Sequence, residues 1–179
     1  GAIYSSFLGL VYFLPLVGGI LADKFGYGKM VTTGIMIMFV GYLCLAIPLG
    51  TGAVAFSSML AALLLISLGT GLFKGNLQVM VGNLYEAAGM ESKRDSGFSI
   101  FYMAIGALFA PTAAVKIHEW GVNSLQMDSN SAYHLAFAVA CVSLIFSIAI
   151  YYIFRPGFKH LEGSSKKKDE KSGNVAEVE

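Results

Sequence analysis

Apolar positions in this chain gather into long unbroken runs set apart by short polar segments. The runs cover residues 2–22, 30–48, 56–85, 97–117 and 132–154. A helix rises about 1.5 Å per residue and a bilayer's hydrocarbon core is about 30 Å thick, so about 20 apolar residues cross it. Lipid offers no partner to a backbone amide, which leaves helices and closed barrels as spanning structures. Barrel strands alternate apolar and polar positions over about 10 residues, and these runs do not. The pattern predicts five transmembrane helices.

Composition supports the same class. Hydrophobic residues make up 56% and charged residues 13% of the chain, with a mean hydropathy of +0.68. A soluble domain carries about 25% charged residues to wet its surface. A net charge of +1 offers nothing to nucleic acid, and no nucleic-acid partner is expected. Cys44 and Cys141 fall within apolar runs and read as buried free thiols. His118, His134 and His160 are scattered, without metal-ligand spacing. Neither a metal nor a cofactor is expected.

Charge sets the topology, because positive residues collect in short cytoplasmic loops. Lys24 and Lys29 follow the first run, and residues 49–55 carry no charge. Lys93 and Arg94 follow the third run, and Lys116 is the one positive residue near the fourth connection. Arg155, Lys159, Lys166, Lys167, Lys168 and Lys171 follow the fifth run. Residues 23–29, 86–96 and 155–179 are therefore expected in the cytoplasm of a multi-pass protein of the plasma or inner membrane. An odd helix count with an outside start predicts one more helix upstream. The start at Gly1 does not read as a signal peptide, and truncation is expected. Residues 1–158 form the predicted bundle. Residues 159–179 read as a disordered, charged cytoplasmic tail or linker, whose lysines can also meet anionic lipid.

Lys74 interrupts the third run, where a charge costs about 2.5–3.5 kcal/mol on insertion scales. Snorkelling toward the inner interface is one reading. Ser67, Gly71, Lys74, Gln78 and Tyr85 recur at helical spacing and so share one face. That stripe suits a Lys facing a water-filled cavity. The glycines around Lys74 lack the spacing and the Ser/Thr of a phosphate loop and follow no strand, which excludes nucleotide binding. Gly71 and Gly75 instead form a G-x-x-x-G, a helix-packing pattern.

The turn Gly19-Ile-Leu-Ala-Asp23-Lys-Phe-Gly26-Tyr-Gly-Lys29 is the most specific signature. Asp23 ends a helix, where the dipole disfavours an anion, so a compensating partner is expected. Gly26 and Gly28 permit the sharp reversal. A generic acidic-capped turn is the alternative.

This turn resembles the gating motif of the major facilitator superfamily, and Gly18-Gly-Ile-Leu-Ala-Asp23 resembles its variant in proton-dependent oligopeptide transporters. Gly69-Thr-Gly-Leu-Phe-Lys-Gly-Asn76 is similar to that family's fourth-helix motif, and Arg94-Asp-Ser-Gly-Phe-Ser-Ile-Phe-Tyr102 to the start of its fifth-helix signature. The resemblance covers residues 3 to about 154, as helices two to six of a fold of twelve or more. It implies an all-α membrane protein, a partial major-facilitator-type bundle of about five transmembrane helices.

The resemblance implies that Lys74 is the pocket lysine that pairs with first-helix carboxylates, and that Tyr12 lines the pocket. Gln78 shares the face of Lys74, and Tyr102 is a further pocket candidate. Gly19, Asp23, Gly26 and Lys29 would form the gate. The expected function is part of a proton-coupled symporter for di- and tripeptides working by alternating access, with protons as coupling ion. Its partners would be the peptide, the lipid bilayer, and the missing first helix and carboxy-terminal bundle of the same chain. The fragment by itself is expected to be inactive.

Two departures from the family pattern matter. The first-helix E-x-x-E-R motif is absent. The pattern F-Y-x-x-I-N-x-G meets Phe101-Tyr-Met-Ala-Ile-Gly106, which reaches glycine two residues early and lacks the asparagine. Two residues fewer rotate a helix by about 200° and shorten it by about 3 Å. A transporter of another small anionic or zwitterionic solute, or a degenerate non-transporting module, are the alternatives. An enzyme is not expected, because no nucleophile–base pair or metal cluster falls within the runs.

Overall fold

A computed structural model describes residues 1–101, 103 and 110–162. The described chain is all-α: α1 (Ala2–Phe25), α2 (Tyr27–Ala46), α3 (Ala53–Ala87), α4 (Glu91–Phe101), α5 (Ala110–Ser124) and α6 (Ser129–Phe158), then a 3-10 turn at Lys159–Leu161. Among the described residues, four segments, α1, α2, α3 and Ser129–Leu161, are long and apolar enough to cross a membrane. The run expected at 97–117 overlaps α4 and α5, and residues 102 and 104–109, where the departure at Gly106 falls, lie outside the described residues.

Turn chemistry sets the connections. Gly26 alone separates α1 from α2, at φ 96°, a left-handed angle that a Cβ would strain. α3 ends in a Schellman motif, with Met90 N–H on the Tyr85 carbonyl and Gly89 N–H on the Glu86 carbonyl. Asp128 caps α6 by accepting the Ser131 backbone N–H at 3.1 Å and its hydroxyl at 2.6 Å. Those two bonds hold its carboxyl below the ordinary value of 3.8.

α3 lies between α1 and α2, and α6 packs on α2. Two glycines permit this. Residues two apart on a helix face nearly opposite sides, so Gly69 meets α2 while Gly71 meets α1. A Cβ on Gly69 would lie 2.6 Å from the Gly34 carbonyl oxygen, and one on Gly71 would overlap Leu14. Gly75, by contrast, would meet Pro15 at an ordinary 3.7 Å. The tight contact of α3 is thus Gly69-Thr-Gly71, and Gly71 and Gly75 do not act as the expected pair.

Val31, Ile35, Met38 and Met80 form the core between α2 and α3, with Phe73, Leu77 and α6 side chains around them. Phe146, Ile153 and Phe154 of α6 face outward, as lipid-facing positions do. Residues 159–162, read from sequence as the start of the tail, are ordered against the bundle. Leu161 is buried and Glu162 packs against α2 and α6, because an acid with bonded partners is held where a solvated one is not. Residues 163–179 lie outside the described residues.

Candidate functional site

Lys74 lies on α3 seven residues before Val81, where the apolar stretch around it ends, roughly 10 Å along the helix axis. Its Nζ lies 5.3 Å from the centroid of the Tyr12 ring on α1. Lys74 is half-buried and Tyr12 is 70% exposed. A cation over a ring face gains about 0.5–1 kcal/mol where water is near, and more as it is excluded. The pair exists because Gly18, Gly71 and Asn76 bring α1 and α3 together below it. Asn76 is 1% exposed and its Nδ2 donates to the carbonyls of Gly18 at 3.2 Å and Leu72 at 2.7 Å.

The stripe expected beside Lys74 divides in the structure. Ser67 and Gly71 are buried in the helix seams; the Ser67 hydroxyl turns back to its own helix at Leu63. Tyr85 packs its hydroxyl against Gly97 of α4. Only Gln78 stays beside Lys74 on accessible surface, one turn along α3. It lines an open cleft of about 510 Å³ with Asn83, Glu86, Arg94 and Asp95. Within that cleft Arg94 bridges Glu86 at 3.6 Å and Asp95 at 3.7 Å. Tyr102 lies outside the described residues.

The α1–α2 turn has the expected residues in mixed surroundings. Asp23 is exposed, and its Oδ1 accepts the Tyr27 hydroxyl at 3.3 Å. The compensating partner is thus Tyr27, the first residue of α2. Gly19 has open space about it, Gly26 makes the reversal, and Lys29 is exposed. Gly28 is helical and buried, and does not contribute to the reversal.

Sequence reasoning misses several polar side chains. Asn76 lies inside the quoted motif Gly69–Asn76, and an amide in an apolar run is itself a signal. His134 Nδ1 bonds to the Leu45 carbonyl near the end of α2. Glu162 joins Arg155 and Tyr151. No local pattern announces these last two, since each pairs residues of separate segments.

Helices of membrane length, drawn together at glycines and holding an ammonium within their apolar span, define a polytopic helical membrane protein. The family model PTR2, the POT family, matches residues 28–176. The chain belongs to the POT family. It is 38% identical over 157 residues to a di-/tripeptide transporter of Lactococcus lactis subsp. lactis strain IL1403, covering 86% of this chain and 28% of the relative. It is 37% identical over 167 residues to the uncharacterized transporter YclF of Bacillus subtilis strain 168, covering 92% and 30%. Its fold matches that of a bacterial homologue of the human drug peptide transporters PepT1 and PepT2, with a TM-score of 0.73 and 29% identity, over 92% of this chain and 34% of that one. The chain thus spans about a third of the length of its relatives.

Proposed function

We propose that the complete protein carrying this chain is a proton-coupled symporter for di- and tripeptides, and that this chain is part of its amino-terminal bundle. The observation that carries the reading is the half-buried Lys74 ammonium held over Tyr12 within the apolar length of α3. The di-/tripeptide transporter among its relatives supports the substrate class. A peptide offers a carboxylate, and an ammonium partly stripped of water attracts it more strongly than one in bulk solvent. The peptide carboxylate and a first-helix carboxylate compete for the same cation, and a proton that neutralises the first-helix carboxylate frees the cation for peptide; that exchange ties peptide movement to the proton gradient. Tyr12 orients the ammonium, and Gln78 and Tyr102 add polar contacts to the pocket.

In this reading the bundle rocks against a second one around a midplane site. Asp23, Gly26 and Lys29 belong to a cytoplasmic gate beside Gly19, on the same side as residues 86–96 and 155–179. The lipid bilayer of the cell membrane, an upstream helix and the carboxy-terminal bundle are its partners. The chain alone closes no alternating-access cavity and does not transport.

The test is uptake of a labelled dipeptide by the complete protein in liposomes, with and without an inward proton gradient. Gradient-driven uptake that disappears in Lys74→Ala is expected. Undiminished uptake in Lys74→Ala makes the lysine a snorkelling residue and removes the mechanism. Uptake by the present chain above a liposome blank removes the claim that it is inactive alone.

A further inference from the structure

Gly28 has an ordinary helical place in α2, so its lack of a side chain does not serve the backbone. It serves a neighbour. A Cβ on Gly28 would lie 2.7 Å from each of Cβ, Cγ and Cδ of Glu162. Its N–H, in the first turn of α2, has no acceptor within its own helix; it donates to the Glu162 carbonyl at 3.2 Å. The chain leaving α6 therefore folds back and seats one residue on the start of α2.

The side chain of Glu162 is fastened as firmly as its backbone. It is 12% exposed. Arg155 Nε donates to its two carboxylate oxygens at 2.9 and 3.1 Å, and the Tyr151 hydroxyl donates at 3.0 Å. Leu161, just before it, is buried. The first turn of α2 contains no acid of its own, and a carboxylate there is favoured by the helix dipole. Charge-assisted bonds of this kind are stronger than neutral ones, and removing the acceptor leaves the partners unsatisfied.

We propose that Glu162 is a positioning residue that clasps the segment leaving α6 to the first turn of α2. The α1–α2 turn and the exit of α6 then move as one body. The clasp touches neither Lys74 nor Tyr12, so it governs the rate of the conformational change and not the affinity for substrate. This consequence for transport rests on the reading of the α1–α2 turn as a gate; the clasp itself does not.

The experiment uses the complete protein in liposomes, as wild type, Glu162→Ala and Glu162→Gln. Hydrogen–deuterium exchange is followed over residues 26–31, and dipeptide uptake over substrate concentration. In Glu162→Ala the Gly28 region is expected to exchange about tenfold faster, the loss of roughly one hydrogen bond's local protection. Maximal uptake falls several-fold at unchanged KM. Glu162→Gln keeps the shape and one acceptor and falls between, which preserves the test if the alanine variant does not fold. Unchanged exchange in both variants overturns the clasp, and a loss confined to KM overturns its part in the conformational step. If the wild type moves no dipeptide, the proposed function fails while the exchange result still decides the clasp.

Discussion

Gly18 of α1 and Gly71 of α3 meet backbone to backbone: a Cβ on Gly18 would overlap the Gly71 carbonyl and press on the Leu72 Cα. In lipid, helices gain little from burying apolar surface against one another, so close approach at small residues is what holds them. This contact sets how near Lys74 comes to Tyr12.

Gly18→Ala and Gly71→Ala are therefore expected to destabilise the protein by about 1–3 kcal/mol, the range for overpacking a tight site. Gly19→Ala and Gly75→Ala meet open space and an ordinary 3.7 Å contact respectively. They are expected to leave stability unchanged or raise it, by up to about 1 kcal/mol of helix propensity. Thermal unfolding of the detergent-purified protein separates the two pairs. Equal losses in all four would refute the packing argument.

Asn76 spans the same seam. Asn76→Leu removes its bond to the Gly18 carbonyl, and interhelical bonds in membranes average about 0.6 kcal/mol. Asn76→Asp is expected to be worse, because a carboxylate facing two carbonyls has no donor to offer unless protonated. The same unfolding measurement reads both variants, and an aspartate as stable as wild type would contradict the assigned bonds.

Tyr12 holds the cation by its ring face and not by its hydroxyl. Tyr12→Phe should retain dipeptide uptake near the wild-type KM in the complete protein. Tyr12→Leu should raise KM by a few-fold, about the worth of 0.5–1 kcal/mol. If Phe fails as badly as Leu, the hydroxyl is the working group.

Asp128 gives a pH signature. The Ser131 bonds favour its charged form and lower its folded pKa below 3.8, so its stabilising effect is full above 3.8 and fades as pH falls through the folded value. The unfolding temperature of wild type should exceed that of Asp128→Ala by a constant margin from neutral pH to about 5, narrowing below 3.8. A margin that persists unchanged into strong acid would exclude the carboxylate as its source.

Hydrophobic run length announces the α1, α2, α3 and α6 helices, because a bilayer leaves an apolar stretch of that length little alternative to a helix. Run length is a poor guide to helix ends. α3 continues to Ala87 and α6 to Phe158, past the ends of the apolar runs at 85 and 154, where capping and tertiary contacts take over. Lys74 stands out in the sequence because a lone charge among apolar residues is costly wherever it points. Its aromatic neighbour is singled out by the family resemblance alone, since Tyr12 lies sixty-two residues away on another helix and an aromatic packed between helices is as ordinary a reading of its local pattern.

The sequence by itself determined the all-helical membrane class, a sharp reversal in the glycine-containing stretch 26–28 and the charge that must be accommodated at Lys74, all consequences of local composition in a solvent without hydrogen bonds. Only the tertiary structure decided that Gly69 and Gly71 serve opposite neighbours, that Gly75 does not pack tightly, and that Gly28 is a seat for Glu162. Each of those depends on which residue comes within a few ångströms from a distant part of the chain. Periodicity along one helix says which positions share a face, and packing alone says what that face meets.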